Sequence, residues 1–118
     1  MPHPIRVILT SALAKIEKGF TKFALARDSA GRSVDYDSKN AVCFCSLGAF
    51  GAAKEEHAFG VLNRRFSHDE IREIRSITNA AQRLLAAEMG GDIVAFNDER
   101  THTEVVAAFK AAIAKAPK

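Results

Sequence analysis

Apolar residues recur at helical spacing over the first twenty positions. Ile5, Ile8, Leu9, Ala12, Leu13 and Ile16 form one stripe of a 3.6-residue helix. Pro4 suits its first turn, where a missing N–H costs nothing, and Gly19 marks its end. Phe20 and Phe23 follow as a short apolar anchor or a second helical turn. The periodicity then lapses over residues 26–37. Arg27-Asp28-Ser29-Ala30-Gly31-Arg32 has turn chemistry, and Val34-Asp35-Tyr36 reads as a short extended piece.

Residues 41–53 are apolar on every side except at Ser46. Such a helix must be buried on every side, so it is predicted as the central helix, spanning 39–54 with Asp37 or Ser38 as N-cap. One stripe is small (Cys45, Gly48, Ala49, Ala52, Ala53), and Cys43, Leu47 and Phe50 fill volume opposite. Gly48 and Gly51 each cost ~1 kcal/mol against alanine in a helix interior. Close approach of a neighbouring helix is the expected reason for both.

Ser67 with Glu70 forms a capping box that opens a helix over 67–89. Its stripe is Ile71, Ile74, Ile77, Ala81, Leu84 and Leu85, and Gly90-Gly91 ends it. Thr78-Asn79 is a candidate break. Ile93–Phe96 reads as extended and Asn97-Asp98 as a turn. Thr101 with Glu104 is a second capping box, followed by Val105, Phe109, Ala112, Ile113 and Ala116 on one face. The expected fold is all-α, a compact bundle of about four helices in a single domain over 1–118. The one β feature expected is a minor two-stranded element from 33–36 and 93–96.

Composition narrows the class. The 118 residues are 47% hydrophobic and 26% charged, enough for one core and unlike a disordered or collagen-like chain. Two cysteines exclude a disulfide-dense scaffold. No apolar run reaches the ~18–20 residues of a membrane span, and Met1–Arg6 lacks the plan of a secretory signal. The expectation is a cytoplasmic protein with no membrane partner.

The net charge of +3 is uneven. Residues 1–34 hold six basic residues against Glu17 and Asp28, and the rest of the chain is close to balance. Lys15, Lys18, Lys22 and Arg27, with Arg64 and Arg65 beside Phe66, are the candidate anion-binding set, which makes nucleic acid the alternative partner. The acidic start of the 67–89 helix opposes a phosphate backbone. A solvated helix face is the plainer reading of the surplus.

Candidate chemistry is sparse. On the predicted helix Cys43 and Cys45 point about 200° apart and cannot share a metal. His3, His57, His68 and His102 are scattered, so neither a metal nor a cofactor is expected. Cys45 is a candidate reactive thiol, with His57 or His102 as base and Asn97 or Asp98 as orienter, beside the plainer reading of a core cysteine. No phosphate-binding glycine loop, HExxH or GxSxG is present. Asn97, Asp98, Arg100 and Thr101 form a polar cluster at a helix start: a turn and cap, or a candidate interaction site.

Three blocks together resemble a family. They are Ala26-Arg27-Asp28 with Gly31, then Phe44-Cys45-Ser46-Leu47-Gly48-Ala49, then Phe96-Asn97-Asp98 with Arg100-Thr101 and Glu104-Val105. The order resembles small uncharacterised bacterial and phage proteins grouped as a domain of unknown function, over roughly residues 20–115. Phe44 and Phe96 depart from it by standing where tryptophan is common. The resemblance implies a bacterial or phage context and no activity. It also predicts that the Cys45–Gly48–Ala49 stripe packs against residues 96–98. The expected role is an accessory or protein-interaction domain, its partner another protein or a second copy of the chain. A cysteine-dependent enzyme is the third reading.

Overall fold

The apolar stripe of the first helix becomes the hub of the core. A computed structural model describes residues 2–62 and 67–118. Helix α1 spans Pro4–Lys18 with Pro4 in its first turn, and all six stripe residues are buried. It packs against α2 (Ser46–Leu62), α3 (His68–Glu88) and α5 (His102–Lys115), so α1 rather than the 39–54 segment is the central element. Residues 48–53 of α2 are nevertheless buried all round, as their composition requires. The fold is mostly α, with a fifth helix, α4 (Ile93–Glu99), and a three-stranded sheet among the described residues.

The sheet is small and lies across one end of α1 and α2. Its order is β2-β1-β3, with β1 at Ala26–Arg27, β2 at Ser33–Val34 and β3 at Cys43–Phe44. Both pairings are antiparallel: Ala26 faces Val34 and Phe44, and Arg27 faces Ser33 and Cys43. Phe44 is tied on its other side, donating to the Gly19 carbonyl (2.9 Å) and accepting from the Thr21 N–H (3.0 Å). This edge is therefore paired rather than open.

Three expectations change here. The first concerns the start of α2. Cys43-Phe44 is extended, and the helix begins at Ser46 and runs on to Leu62. Cys45 takes the capping position: its carbonyl accepts from the Ala49 N–H (2.9 Å) and its sulfur from the Gly48 N–H (3.3 Å). Ser38 instead closes a turn with Asp35 and Asn40. The helical argument separating Cys43 from Cys45 therefore does not apply. The second is the 93–96 segment, which is helical because the Asp92 carboxylate caps the Ala95 N–H (3.0 Å). Residues 33–34 pair with β1 instead. The third is glycine. A Cβ on Gly48 would lie 2.0 Å from the Leu25 carbonyl oxygen, and one on Gly51 3.1 Å from the Tyr36 ring. The close approaches come from the strand lead-in and a loop ring, not from a neighbouring helix.

The other helices form as their caps dictate. Both capping boxes are complete, at Ser67/Glu70 and Thr101/Glu104. Helix α3 runs unbroken through Thr78-Asn79, where the Thr78 hydroxyl bonds the Arg75 carbonyl (3.0 Å). Gly90 and Gly91 have φ of +71° and +94° and reverse the chain, with the Gly91 N–H on the Ala86 carbonyl (2.8 Å). On α5, Val105, Ala108, Phe109 and Ala112 are buried.

Candidate functional site

Asn97 opens the polar cluster that follows Ile93–Phe96, and it sits at the junction of three segments. It is 1% exposed. Its side-chain oxygen accepts from the Ser46 N–H (2.8 Å) and the Ser46 hydroxyl (2.7 Å). Its amide donates to the Thr21 carbonyl (3.1 Å) and the Asp98 carboxylate (3.3 Å). Helix α4 thus holds the first turn of α2 and the 20–25 loop together. Among the described residues no buried side-chain polar atom lacks a partner, as a low-dielectric interior demands. These bonds join the Cys45–Ala49 and 96–98 segments.

Asp98 extends the clasp outward. Its carboxylate accepts from the Phe23 N–H (3.1 Å). Phe23 has φ of +65°, a left-handed backbone that bulky residues rarely adopt, and its side chain is held in solvent at 77% exposure. Leu25, two residues on, and Val94, one turn before Asp98 on α4, are also exposed. Arg100 lies over the Phe96 ring (5.0 Å) and pairs with Glu104 (3.1 Å). Thr101 caps α5. Its backbone N–H, with bonds from Arg100 and from its own hydroxyl, holds the Glu104 carboxyl below the usual range.

Cys45 lies beside this clasp and is 7% exposed. Burial pushes its thiol up, outweighing the lowering effect of the Gly48 and Leu47 N–H groups, and the Asp98 charge raises it further. A nucleophile needs the opposite, a stabilised thiolate with a base within ~3 Å. His102 is engaged elsewhere. Its ring stacks on Phe20 (centroids 5.0 Å apart) and its Nε2 lies 2.8 Å from the Ile16 carbonyl at the end of α1.

A family model matches residues 1–115. The chain belongs to DUF6197, a family of unknown function. The match includes α1 as well as the blocks that carried the resemblance. Neither the curated proteins nor the solved structures gave a match.

The basic surplus of this DUF6197 chain is largely tied into the fold. Arg27 donates to the Thr21 hydroxyl (2.9 Å) and to the Gly31 (3.1 Å) and Lys22 (3.2 Å) carbonyls, bracing the β1–β2 turn. Lys15 pairs with Glu56, and Arg32 with Asp28. Arg6 donates to the Ala116 carbonyl (2.9 Å) at the end of α5. Lys18 is exposed and Lys22 half-buried. Arg64 and Arg65 lie outside the described residues. No group of three or more His, Cys, Asp or Glu among the described residues is placed to hold a metal ion. No described helix is long and apolar enough to cross a membrane.

Phe23, expected as an apolar anchor or part of a second helical turn, is instead exposed, and Thr21 stands out in no sequence pattern. Neither carries a local signal, since the Asn97 and Asp98 bonds to them span 76 and 75 residues. Ser46 did carry one, as the single conventional polar residue in its apolar run.

Proposed function

We propose that this DUF6197 protein is a small, non-catalytic cytoplasmic interaction domain whose contact surface is centred on Phe23. Among the candidate residues, Asn97 and Asp98 serve as the clasp that shapes this surface, and Arg100 and Thr101 stand on its flank. The observation that carries the reading is the state of Phe23. A large aromatic held out in water, on a left-handed backbone costing ~1–2 kcal/mol, does nothing for the fold's own stability. Exposed aromatics of this kind anchor protein contacts. Leu25 and Val94 add apolar surface near it.

The buried, raised thiol of Cys45 and the engaged ring of His102 weigh against the enzyme reading. The ties on Lys15 and Arg27 weigh against the nucleic-acid reading. The test places a photo-reactive phenylalanine analogue at position 23, with position 7 as control, since Val7 is also exposed, on α1. Capture of one discrete protein partner, or of a second copy, from position 23 alone supports the proposal. Equal capture from both positions overturns it, as does nucleic-acid binding that collapses with salt while position 23 captures nothing.

A further inference from the structure

A concave site lies against α2. A cavity of about 380 Å³ is lined by Tyr36, Phe44 and Ala52 and by the polar residues Lys15, Asp37, Ser38, Glu55 and Glu56. That volume falls within the range of small-molecule sites. Its shape is built in from the sequence. Gly51 leaves room for the Tyr36 ring, against which any Cβ would lie at 3.1–3.2 Å. The Tyr36 hydroxyl donates to Glu55 Oε1 (2.9 Å), fixing the ring and that carboxylate together. Glu56 is already engaged, accepting from Ser11 (3.0 Å) and paired with Lys15. Glu55 Oε2 and the Asp37 carboxylate have no partner among the described residues.

We infer that this cavity binds a small organic cation, an ammonium or guanidinium on a short apolar stem. The stem lies against Tyr36, Phe44 and Ala52. The cationic head sits against Glu55 and Asp37. Two features of the cavity meet the two halves of such a ligand: aromatic faces attract cations and cover methylenes, and carboxylates accept charge-assisted hydrogen bonds. The lining sets three carboxylates, Asp37, Glu55 and Glu56, against one cation, Lys15, and the Tyr36 hydroxyl is raised by its bond to Glu55 and by burial, to which the charges of Glu55, Asp37 and Asp35 add. Lys15 is the opposing charge in the lining, and its pairing with Glu56 leaves Glu55 and Asp37 as the excess.

The test is an amide-resolved NMR titration of the full chain with agmatine and with pentylamine, 1-pentanol serving as the neutral analogue. The expected result is saturable shifts confined to residues 36–38, 44 and 51–56, with a dissociation constant of about 0.1–1 mM for the cations and no saturation for the alcohol. Glu55→Gln weakens cation binding about tenfold or more, and Tyr36→Leu does so as well. Both substitutions are at half-buried positions, and their spectra report directly on folding. The inference is overturned if neither cation saturates by 10 mM in the folded wild type (roughly ten times the weaker expected constant). It is equally overturned if shifts spread over the exposed acids of α3, or if Glu55→Gln binds as the wild type does.

Discussion

Replacing Asn97 by alanine removes the group that holds α2, α4 and the 20–25 loop together. Four side-chain hydrogen bonds are lost at a position 1% exposed. The damage lies in what is left behind. The Ser46 N–H, in a residue with no exposed surface, loses its acceptor. A buried donor without a partner costs about 1–3 kcal/mol. The Ser46 hydroxyl can turn, and the half-buried Thr21 carbonyl can take a water, so these add less. The expected loss is about 2–4 kcal/mol out of the ~5–15 kcal/mol typical of a domain. Ser46→Ala alone keeps the backbone bond and costs about 1 kcal/mol. In the double variant the Ser46→Ala step costs nearly nothing, because its partner is already gone. Urea unfolding followed by circular dichroism on all four proteins gives the coupling, expected at about 1 kcal/mol. A loss below about 1 kcal/mol for Asn97→Ala, or strictly additive single effects, refutes the clasp.

Three further outcomes follow from the same geometry. Gly48→Ala gains ~1 kcal/mol of helix propensity elsewhere, yet here its Cβ meets the Leu25 carbonyl at 2.0 Å, and a net loss of about 1–3 kcal/mol in thermal unfolding is expected; a raised Tm contradicts it. Cys45, tested in a Cys43→Ser background at pH 8, resists thiol labelling in the native protein and reacts on unfolding; rapid native labelling restores the reactive-thiol reading. The Asp28 carboxyl is lowered by the Arg32 N–H above all, and Glu104 by the Thr101 N–H. A carboxyl depressed in the folded state contributes stability that is present above its ordinary pKa, 3.8 and 4.5 here, and lost as pH falls through the folded value. Urea midpoints measured from pH 6 to pH 3 therefore fall less steeply in Asp28→Asn with Glu104→Gln than in the wild type, and parallel curves contradict this.

Helices α1, α3 and α5 were legible because each combines an apolar stripe with a cap the sequence spells out. The start of α2 and the whole of α4 were not. Val42-Cys43-Phe44 and Ile93–Phe96 are short apolar runs, for which periodicity cannot separate strand from helix. Tertiary partners settle the first, since Gly19, Thr21 and β1 bind Cys43-Phe44 as a strand; a local signal settles the second, since the adjacent Asp92 caps 93–99 as a helix. At the site, Asn97 and Asp98 stood out by polarity, while their partners in the 20–25 loop are distant in sequence. The exposure of Phe23 runs against its reading as an apolar anchor, because it goes with a left-handed backbone angle that only the folded chain defines.

The most direct measurement of whether Phe23 is a contact residue presented by the clasp is photo-crosslinking from position 23 in two backgrounds, wild type and Asp98→Ala, with folding monitored by circular dichroism. Loss of the Asp98 carboxylate frees the Phe23 N–H and releases the left-handed loop. The predicted result is a discrete crosslinked species in the wild type that fades in Asp98→Ala while helicity is retained. An undiminished species in Asp98→Ala, or none above the Val7 control in the wild type, contradicts it.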